Sequence, residues 1–176
     1  MTGVLTGVGA QASPVGARAA ALCRCFALIG ATRMLGLPVM HRALVVEAIS
    51  FEPCVDADGA QAALGILLTP WFMNLIWLPM AGQPGAPQGQ WREHQIGGEC
   101  FHFIGAHEDS FGSYEMCSLF SPMFEFANQD AARATGAEVL QVLRSADRAL
   151  AAQLAAQTSP GRRGFLTGRI ATRSAP

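Results

Sequence analysis

Residues 64–79 read LGILLTPWFMNLIWLP, an uncharged stretch that is rich in apolar and aromatic side chains. It is too apolar for an ordinary surface, yet Pro70, Asn74 and Pro79 interrupt it, whereas a transmembrane helix needs about 20 consecutive apolar residues. Pro70 presets φ at a turn and would remove a backbone donor inside a bilayer. The stretch therefore predicts two short strands joined at residues 69–72, and this apolar hairpin must be covered by the rest of the chain or by a partner.

The composition sets limits on the function. The chain has 176 residues, which is enough for one domain with a buried core. Apolar residues make up 51% and charged residues 14%, against a usual charged share of about 25%. A surface with so few charges is expected to leave apolar area for a partner. The net charge of −1 gives no general attraction for nucleic acid, and all 12 cationic side chains are arginine, which excludes lysine-dependent phosphate binding and Schiff-base chemistry.

The sequence shows no targeting signal. No basic residue precedes Arg18, and Arg24 interrupts the apolar residues 19–31, so a signal peptide is not predicted. The cysteines are odd in number and irregularly spaced, which indicates reduced thiols rather than a disulfide framework. They are Cys23, Cys25, Cys54, Cys100 and Cys117. We therefore expect a cytoplasmic protein without membrane insertion.

Local patterns predict an α+β fold in a single domain. Ser13-Pro14 is a helix start, and this helix is expected to reach Gly36. Strands and a second, long helix follow. The predicted strands are residues 44–51, the two strands of the hairpin within 64–78, 99–104 and 113–120; residues 82–89 form a loop, Ser121-Pro122 opens a short helical turn through Phe126, and residues 128–156 form the long helix. This order predicts an antiparallel sheet that the N-terminal helix and the long C-terminal helix cover on one face.

The ends of the chain are expected to lie outside this domain. We predict a disordered N-terminus at residues 1–12, the domain at 13–158 and a flexible basic tail at 159–176. Within the tail, Arg162, Arg163, Phe165 and Leu166 match the core of a twin-arginine export signal, although the motif lies at the wrong end of the chain to export it. Four interpretations remain open: a solvated tail, a tail docked on its own domain, a tail docked on the acidic face of a partner, or a copy of a client's export signal.

Candidate metal ligands are sparse in the sequence. Cys23 and Cys25 form a C-x-C pair on a helix, where side chains two apart diverge. Cys100 and His102 share one face of a strand with Ile104, and this neighbour favours burial in the core. The remaining histidines, His41, His94 and His107, fall in predicted loops. We therefore predict no metal site and no cofactor.

Catalytic patterns are equally weak. Cys117 and Ser121 lie in a strand-to-helix passage, but the glycines of a nucleophile elbow are absent there. Glu115 and Glu125 form a possible carboxylate pair without a general acid nearby. No spacing of residues requires an enzyme, so no catalytic residue is predicted.

Two motifs carry a family resemblance. The first is residues 64–79 with the core Thr69-Pro70-Trp71-Phe72-Met73-Asn74-Leu75, and the second is CSLFSPMFEF at residues 117–126. Both resemble the signature stretches of the HybE/HupJ family of nickel–iron hydrogenase assembly chaperones. Arg33-Met34 before Pro38 and LVVEA at residues 44–48 also lie where that family has similar residues, so that the resemblance covers about residues 18–145. The chain departs from the family at His41-Arg42, where an Asn-Pro-like pair is expected.

The resemblance implies a compact α+β domain and a function. It implies a cytoplasmic, non-catalytic accessory protein for the maturation of a membrane-bound or periplasmic uptake hydrogenase. The implied partners are a precursor of the small or the large hydrogenase subunit and other hydrogenase accessory proteins. In this family the clients are exported as a folded pair on the twin-arginine signal of the small subunit. Some relatives are linked to the protection of the metal centres from oxygen.

A chaperone needs a large and adaptable contact surface, which aromatic and methionine side chains provide. We therefore predict a client-binding surface formed by the hairpin and the short helical turn. Its residues are Trp71, Phe72, Met73 and Trp77 on the hairpin, and Met123, Phe124 and Phe126 on the turn. The alternative for each of these residues is burial in the core, because alternate residues of a strand face inward.

Two other hypotheses are kept beside the chaperone. The first is a thiol-dependent redox or metal-handling protein that protects hydrogenase metal centres, centred on Cys117 and Cys100. The second is a signal-peptide mimic that acts through Arg162 and Arg163.

Overall fold

The described part of the chain forms one antiparallel sheet between two helices. The structure is a computed structural model that describes residues 13–56, 58–80 and 82–158. Its elements are α1 (Pro14–Ala31), β1 (Glu47–Val55), β2 (Gln61–Leu68), β3 (Met73–Pro79), β4 (Trp91–Ile96), β5 (Glu99–Glu108), β6 (Gly112–Phe120) and α2 (Gln129–Thr158). The α+β class of the sequence analysis is confirmed. The predictions for residues 1–12 and for the tail motif at Arg162, Arg163, Phe165 and Leu166 lie outside the described residues.

The predicted hairpin lies in the middle of the sheet. The strand order is β1-β2-β3-β6-β5-β4, and all neighbours are antiparallel. In the hairpin, Leu68 pairs with Met73 and Ala62 pairs with Pro79. Both strands are almost entirely buried, because a central strand has neighbours on both edges and, here, on both faces.

The two helices cover opposite faces of the sheet, which corrects the prediction that both lie on one face. Leu64 and Ile66 of β2 pack in a cluster with residues of α2, whereas Ala63 and Leu67 pack in a second cluster with residues of α1. Alternate residues of a strand point to opposite faces, so an unbroken apolar run such as LGILL marks a strand that is covered twice.

Helix α1 begins and ends as local chemistry requires. The Ser13 hydroxyl caps it by accepting a hydrogen bond from the Gly16 N–H at 3.0 Å, and Pro14 occupies the first helical position. The helix ends at Ala31 and turns continue to Gly36, so the predicted end was late. By length and composition alone α1 could cross a membrane. In this structure its Leu22 and Phe26 are buried against the sheet.

Helix α2 connects distant parts of the sheet. Its buried positions include Ala132 and Leu140, while Leu150 and Leu154 near its end are exposed. Asp147 accepts a hydrogen bond from the Gly97 N–H in the β4–β5 turn. Nearer its start, Arg144 lies 2.9 Å from Glu52 of β1. One helix therefore contacts both ends of the strand order, and the sheet curls around it.

Three further elements differ from the sequence prediction. β1 continues through Pro53 to Val55, which an edge strand tolerates, and a bulge with positive φ at Ser50 displaces its register. β4 at Trp91–Ile96 was missed, because its charged residues hide the alternation. Residues 121–128 form turns and bends rather than the predicted helical turn, and the Ser121-Pro122 peptide bond is cis.

Candidate functional site

The turn between β2 and β3 is held by one hydroxyl group. Thr69 is fully buried, and its Oγ1 accepts hydrogen bonds from the N–H of Phe72 at 2.9 Å and of Trp71 at 3.3 Å. The Thr69 N–H donates to the Phe72 carbonyl at 2.8 Å. Pro70 between them presets the turn. The sequence TPWF therefore fixes the orientation of two large aromatic side chains.

Those aromatic side chains pack against α1. The ring of Phe26 lies 6.3 Å from that of Trp71 and 5.6 Å from that of Phe72, while Trp71 and Phe72 are 5.6 Å apart at nearly right angles. Gly30 permits this approach, since a Cβ there would lie 3.3 Å from Cζ3 of Trp71. The turn is thus a rigid support rather than an open surface.

Most of the predicted client-binding residues are buried, and this corrects the expectation that they form one exposed surface. Met73 and Met123 have no exposed area, and the remaining buried members are Trp77, Phe126 and Trp71 at 5%, 7% and 9%. Phe72 is half-buried, and Phe124 is 59% exposed. The physical reason is the covering of both sheet faces, which leaves no outward side for the hairpin strands. In residues 121–128 the chain turns Met123 and Phe126 inward and Phe124 outward.

An exposed apolar surface nevertheless lies beside the turn. It consists of Leu35, Leu37, Val45 and Phe124, which are 74%, 44%, 62% and 59% exposed, and we call it the turn-end patch. The sequence analysis did not assign Leu35, Leu37 or Val45 to a binding surface. Leu35 and Leu37 lie in a Gly- and Pro-containing segment, whereas Val45 lies in the residues predicted as a strand. Apolar residues at a loop are not required by any core, so exposure there suggests contact with a partner.

The patch is connected to the turn through His41. The His41 N–H donates a hydrogen bond to the Pro70 carbonyl at 2.9 Å, and the His41 ring lies 6.5 Å from the ring of Phe124. A cleft of about 430 Å³ opens here, lined by residues 35–38, 40–42, 44 and Pro70. Both sequence motifs, at 64–79 and 117–126, therefore meet at one end of the molecule.

Comparison with known proteins assigns the family. A model described as "[NiFe]-hydrogenase assembly, chaperone, HybE" matches residues 17–168. This chain belongs to the HybE family. It is 52% identical over 153 residues to Protein HoxT of Cupriavidus necator, covering 82% of this chain and 84% of that protein. It is also 36% identical over 148 residues to hydrogenase expression/formation protein HupJ of Bradyrhizobium diazoefficiens, with coverage of 82% and 84%.

A solved structure supports the fold. The solution structure of HybE from Escherichia coli matches with a TM-score of 0.57 and 21% identity, over 96% of this chain and 98% of that one. At this identity the match shows the fold alone. The family assignment rests on the family model and the HoxT and HupJ relatives, and it makes this chain a non-catalytic accessory protein of hydrogenase assembly.

Three partly buried thiols of this HybE-family chain are poor nucleophiles. All five cysteines are free. Burial raises the pKa of Cys117, raises that of Cys23, and raises the pKa of Cys54 to about 12 with help from the charge of Asp56. A raised pKa keeps a thiol protonated at neutral pH, and the thiolate is the reactive form. These three sites therefore oppose the thiol-dependent redox hypothesis.

A buried ionic cluster was missed by the sequence analysis of this HybE-family chain. His94, expected in a solvated loop, lies in β4 and is 2% exposed, and Glu115 of β6 has no exposed area. The Glu115 carboxylate lies 3.2 Å from Arg92 Nη1 and accepts from the Ala86 N–H at 2.7 Å. Burial alone would raise the pKa of Glu115, but hydrogen bonds with His94 and Ala86 and the nearby charges outweigh it and lower the pKa.

Cys100 and His102 also differ from their predicted placement in the core. Both are exposed, while Phe103 on the opposite face of β5 is fully buried. The alternation was predicted correctly, with Cys100 and His102 on one side and the phenylalanines on the other, but the covered side is that of the phenylalanines. The Cys100 thiol and the His102 ring on this outward face are therefore accessible to solvent.

Proposed function

We propose that this protein binds a precursor subunit of a nickel–iron hydrogenase in the cytoplasm, through the turn-end patch, before the subunit is exported by the twin-arginine pathway. The observation that carries the proposal is the concentration of four exposed apolar side chains at the end where both family motifs meet. Membership of a hydrogenase assembly family supplies the class of client.

The energetics of the patch suit reversible binding. Full burial of one Leu, Val or Phe side chain is worth about 1.5–3 kcal/mol, and the four side chains are already partly covered. Their combined contribution is therefore about 4–8 kcal/mol. Association costs about 4–15 kcal/mol in lost freedom. A patch of this size therefore gives weak and reversible binding. A chaperone needs reversible binding because it must release its client.

Polar groups surround the patch and are able to orient a client. Arg42 lines the cleft, and the exposed Glu125 follows Phe124 directly. His41 lies between the cleft and Phe124. Interfaces that form and dissociate usually combine an apolar centre with such a polar rim. The buried Trp71 and the half-buried Phe72 pack against α1 and hold this end in place, so little ordering is needed on binding.

The test is co-purification from cells that express the hydrogenase. Tagged full-length protein is compared with the double variant Leu37→Ala, Phe124→Ala, and bound proteins are identified by mass spectrometry. The matched control is Val142→Ala, Leu150→Ala on α2, which removes similarly exposed apolar side chains far from the turn. We expect the wild type and the control to retain a hydrogenase precursor and the patch variant to lose about tenfold or more of it. Equal recovery with a patch variant whose circular dichroism is native would contradict the proposal.

The link to export has its own experiment. If binding precedes export, the captured small subunit carries its uncleaved signal peptide, visible as signal-derived peptides in the mass spectrum. Capture of only the processed subunit would show that binding follows export. A precursor that lacks the signal peptide then separates two modes of recognition. It should still bind if the chaperone recognises the folded subunit, and it should not bind if the chaperone recognises the signal peptide.

A further inference from the structure

The outward face of β4 and β5 carries a group of three potential metal ligands. Glu93 lies directly opposite His102 in the strand register, and Cys100 lies two residues before His102 on the same face. A carboxylate oxygen, the Cys100 sulfur and a ring nitrogen of His102 all lie within 4.8 Å of one another. All three side chains are exposed. Among residues 13–56, 58–80 and 82–158, no other three His, Cys, Asp or Glu side chains bring their ligand atoms this close together.

The strand pairing makes this grouping a property of the fold. In β4 the residues Arg92, His94 and Ile96 turn inward or toward Glu115, which leaves Glu93 outward. Directly opposite residues of antiparallel strands have Cβ atoms about 4.5–5.5 Å apart, and residues i and i+2 share a face. The tight β4–β5 turn at Gly97-Gly98 fixes this register.

The distances are close to those of a metal centre. Zn²⁺ binds sulfur at about 2.3 Å and nitrogen or oxygen at about 2.0–2.2 Å, so ligand atoms of one tetrahedral site lie roughly 3.5 Å apart. Here Nδ1 of His102 and Oε1 of Glu93 are 3.6 Å apart. The ligand atoms lie within 4.8 Å of one another, so the sulfur needs to move by about 1.3 Å or less to reach this spacing, which an exposed side chain achieves by a small rotation.

We propose that Glu93, Cys100 and His102 bind one divalent ion of a late first-row transition metal, such as Zn²⁺ or Ni²⁺, and leave its fourth position open. A thiolate and an imidazole select this class of ion, whereas Mg²⁺ and Ca²⁺ prefer sites made only of oxygen. Three protein ligands are typical of sites that keep an exchangeable position, while structural zinc sites have four. This site lies on β4 and β5, apart from the residues of the turn-end patch, and does not depend on the proposed client.

Metal binding requires the loss of the Cys100 proton. The Cys100 sulfur lies within 4.8 Å of a Glu93 carboxylate oxygen, so a thiolate formed there is next to a like charge until a cation binds. The incoming ion replaces this proton, which passes to solvent, and forms the metal–sulfur bond. The same Glu93 charge that disfavours the thiolate alone attracts a divalent cation. A bound cation therefore offsets the repulsion between the Glu93 carboxylate and the Cys100 thiolate.

A Co²⁺ titration of the full-length protein tests the site directly. Co²⁺ is used as the spectroscopic substitute, with a non-thiol reductant to prevent disulfide formation. We expect a sulfur-to-cobalt charge-transfer band that saturates at one ion per chain. Cys100→Ser should abolish the band, and Glu93→Gln or His102→Asn should weaken binding about tenfold or more. The matched control is His107→Asn, an exposed histidine on the same strand, which should leave the titration unchanged.

A second measurement does not depend on the ligand variants. Trp91 is 67% exposed and lies two residues before Glu93 in β4, on the same face, whereas Trp71 and Trp77 are buried. Paramagnetic Co²⁺ at the proposed site should broaden the indole N–H resonance of Trp91 more than the other two, with Trp91→Phe giving the assignment. A charge-transfer band that persists in Cys100→Ser, or equal broadening of all three indole resonances, would overturn the proposal.

Discussion

The Nε2 atom of His94 lies 2.7 Å from Oε2 of Glu115, and both side chains are shielded from solvent between β4 and β6. The His94 ring stacks on Trp77 at 3.9 Å and meets the edge of Phe103 at 5.1 Å. Glu115 also accepts the Ala86 N–H, so the pair joins the 82–90 loop to the sheet. A buried carboxylate in this position is tolerated only while its hydrogen-bonding and charged partners remain.

Replacement of Glu115 by glutamine should destabilise the protein. The amide keeps the shape of the side chain but removes the charge that balances Arg92 and strengthens the bond to His94. We expect a loss of about 2–4 kcal/mol in the free energy of unfolding, measured by urea denaturation. The control is Glu108→Gln, whose partner Arg33 is largely exposed, and it should have a much smaller effect. Equal losses for both variants would show that the buried charge is not needed.

The same residue predicts a pH dependence of stability. The pKa of Glu115 is lowered in the folded state, so the unfolded chain binds its proton at a higher pH than the folded chain does. The stabilisation from Glu115 is therefore complete above the ordinary carboxyl pKa of about 4.3 and is lost as the pH falls through the lower, folded-state value. We expect the stability difference between wild type and Glu115→Gln to be constant above about pH 5 and to shrink as the pH falls from there toward about pH 3 in urea titrations. A difference that stays constant over this range would contradict the lowered pKa.

Sequence patterns predicted the parts of the fold that depend on local chemistry. Ser13-Pro14 starts α1, Pro70 makes the turn of the hairpin, and alternation in β5 assigns its residues to two faces. The same local reasoning misassigned Ser121-Pro122, because the Ser-Pro pair that caps one helix also occurs in the turn after β6. A capping pattern cannot reveal whether a helix follows it.

The candidate site depended on contacts that are distant in sequence. Alternation shows that Cys100 and His102 share a face, but only the position of α2 decides which face is covered. Likewise, Met73 and Trp77 are buried because helices lie on both sides of the sheet. The family motif was therefore located correctly, whereas the exposure of its side chains was not. The exposed residues Leu35 and Leu37 lie in a segment with no periodic signal.

Substitution of Trp71 should affect stability far more than substitution of Phe124. Trp71 supports the turn-end patch from within the core, whereas Phe124 belongs to the exposed patch itself. Trp71 is buried against Phe26, so Trp71→Ala should cost about 3–5 kcal/mol of unfolding free energy. Phe124 is largely exposed, and Phe124→Ala should change stability by no more than about 0.5 kcal/mol. Thermal and urea unfolding of the two variants measure this contrast. If Phe124→Ala proved as destabilising as Trp71→Ala, Phe124 would be a core residue and could not serve as a free contact for a client.

Thr69 offers a test of the turn that presents the family motif. Thr69→Val preserves the volume and the branched shape of the side chain but removes the acceptor for the N–H groups of Trp71 and Phe72. Because these donors are largely shielded from water, we expect a loss of about 2–3 kcal/mol in the free energy of unfolding, measured by urea denaturation. Thr135→Val is the matched control, since its hydroxyl donates to the Ala131 carbonyl on the exposed side of α2, and it should cost no more than about 0.5 kcal/mol. Amide exchange gives a local readout of the same bonds: the N–H of Phe72 should lose protection in Thr69→Val while amides of β5 keep theirs. Unchanged protection at Phe72 would mean that the turn is held by its strands and not by the threonine hydroxyl.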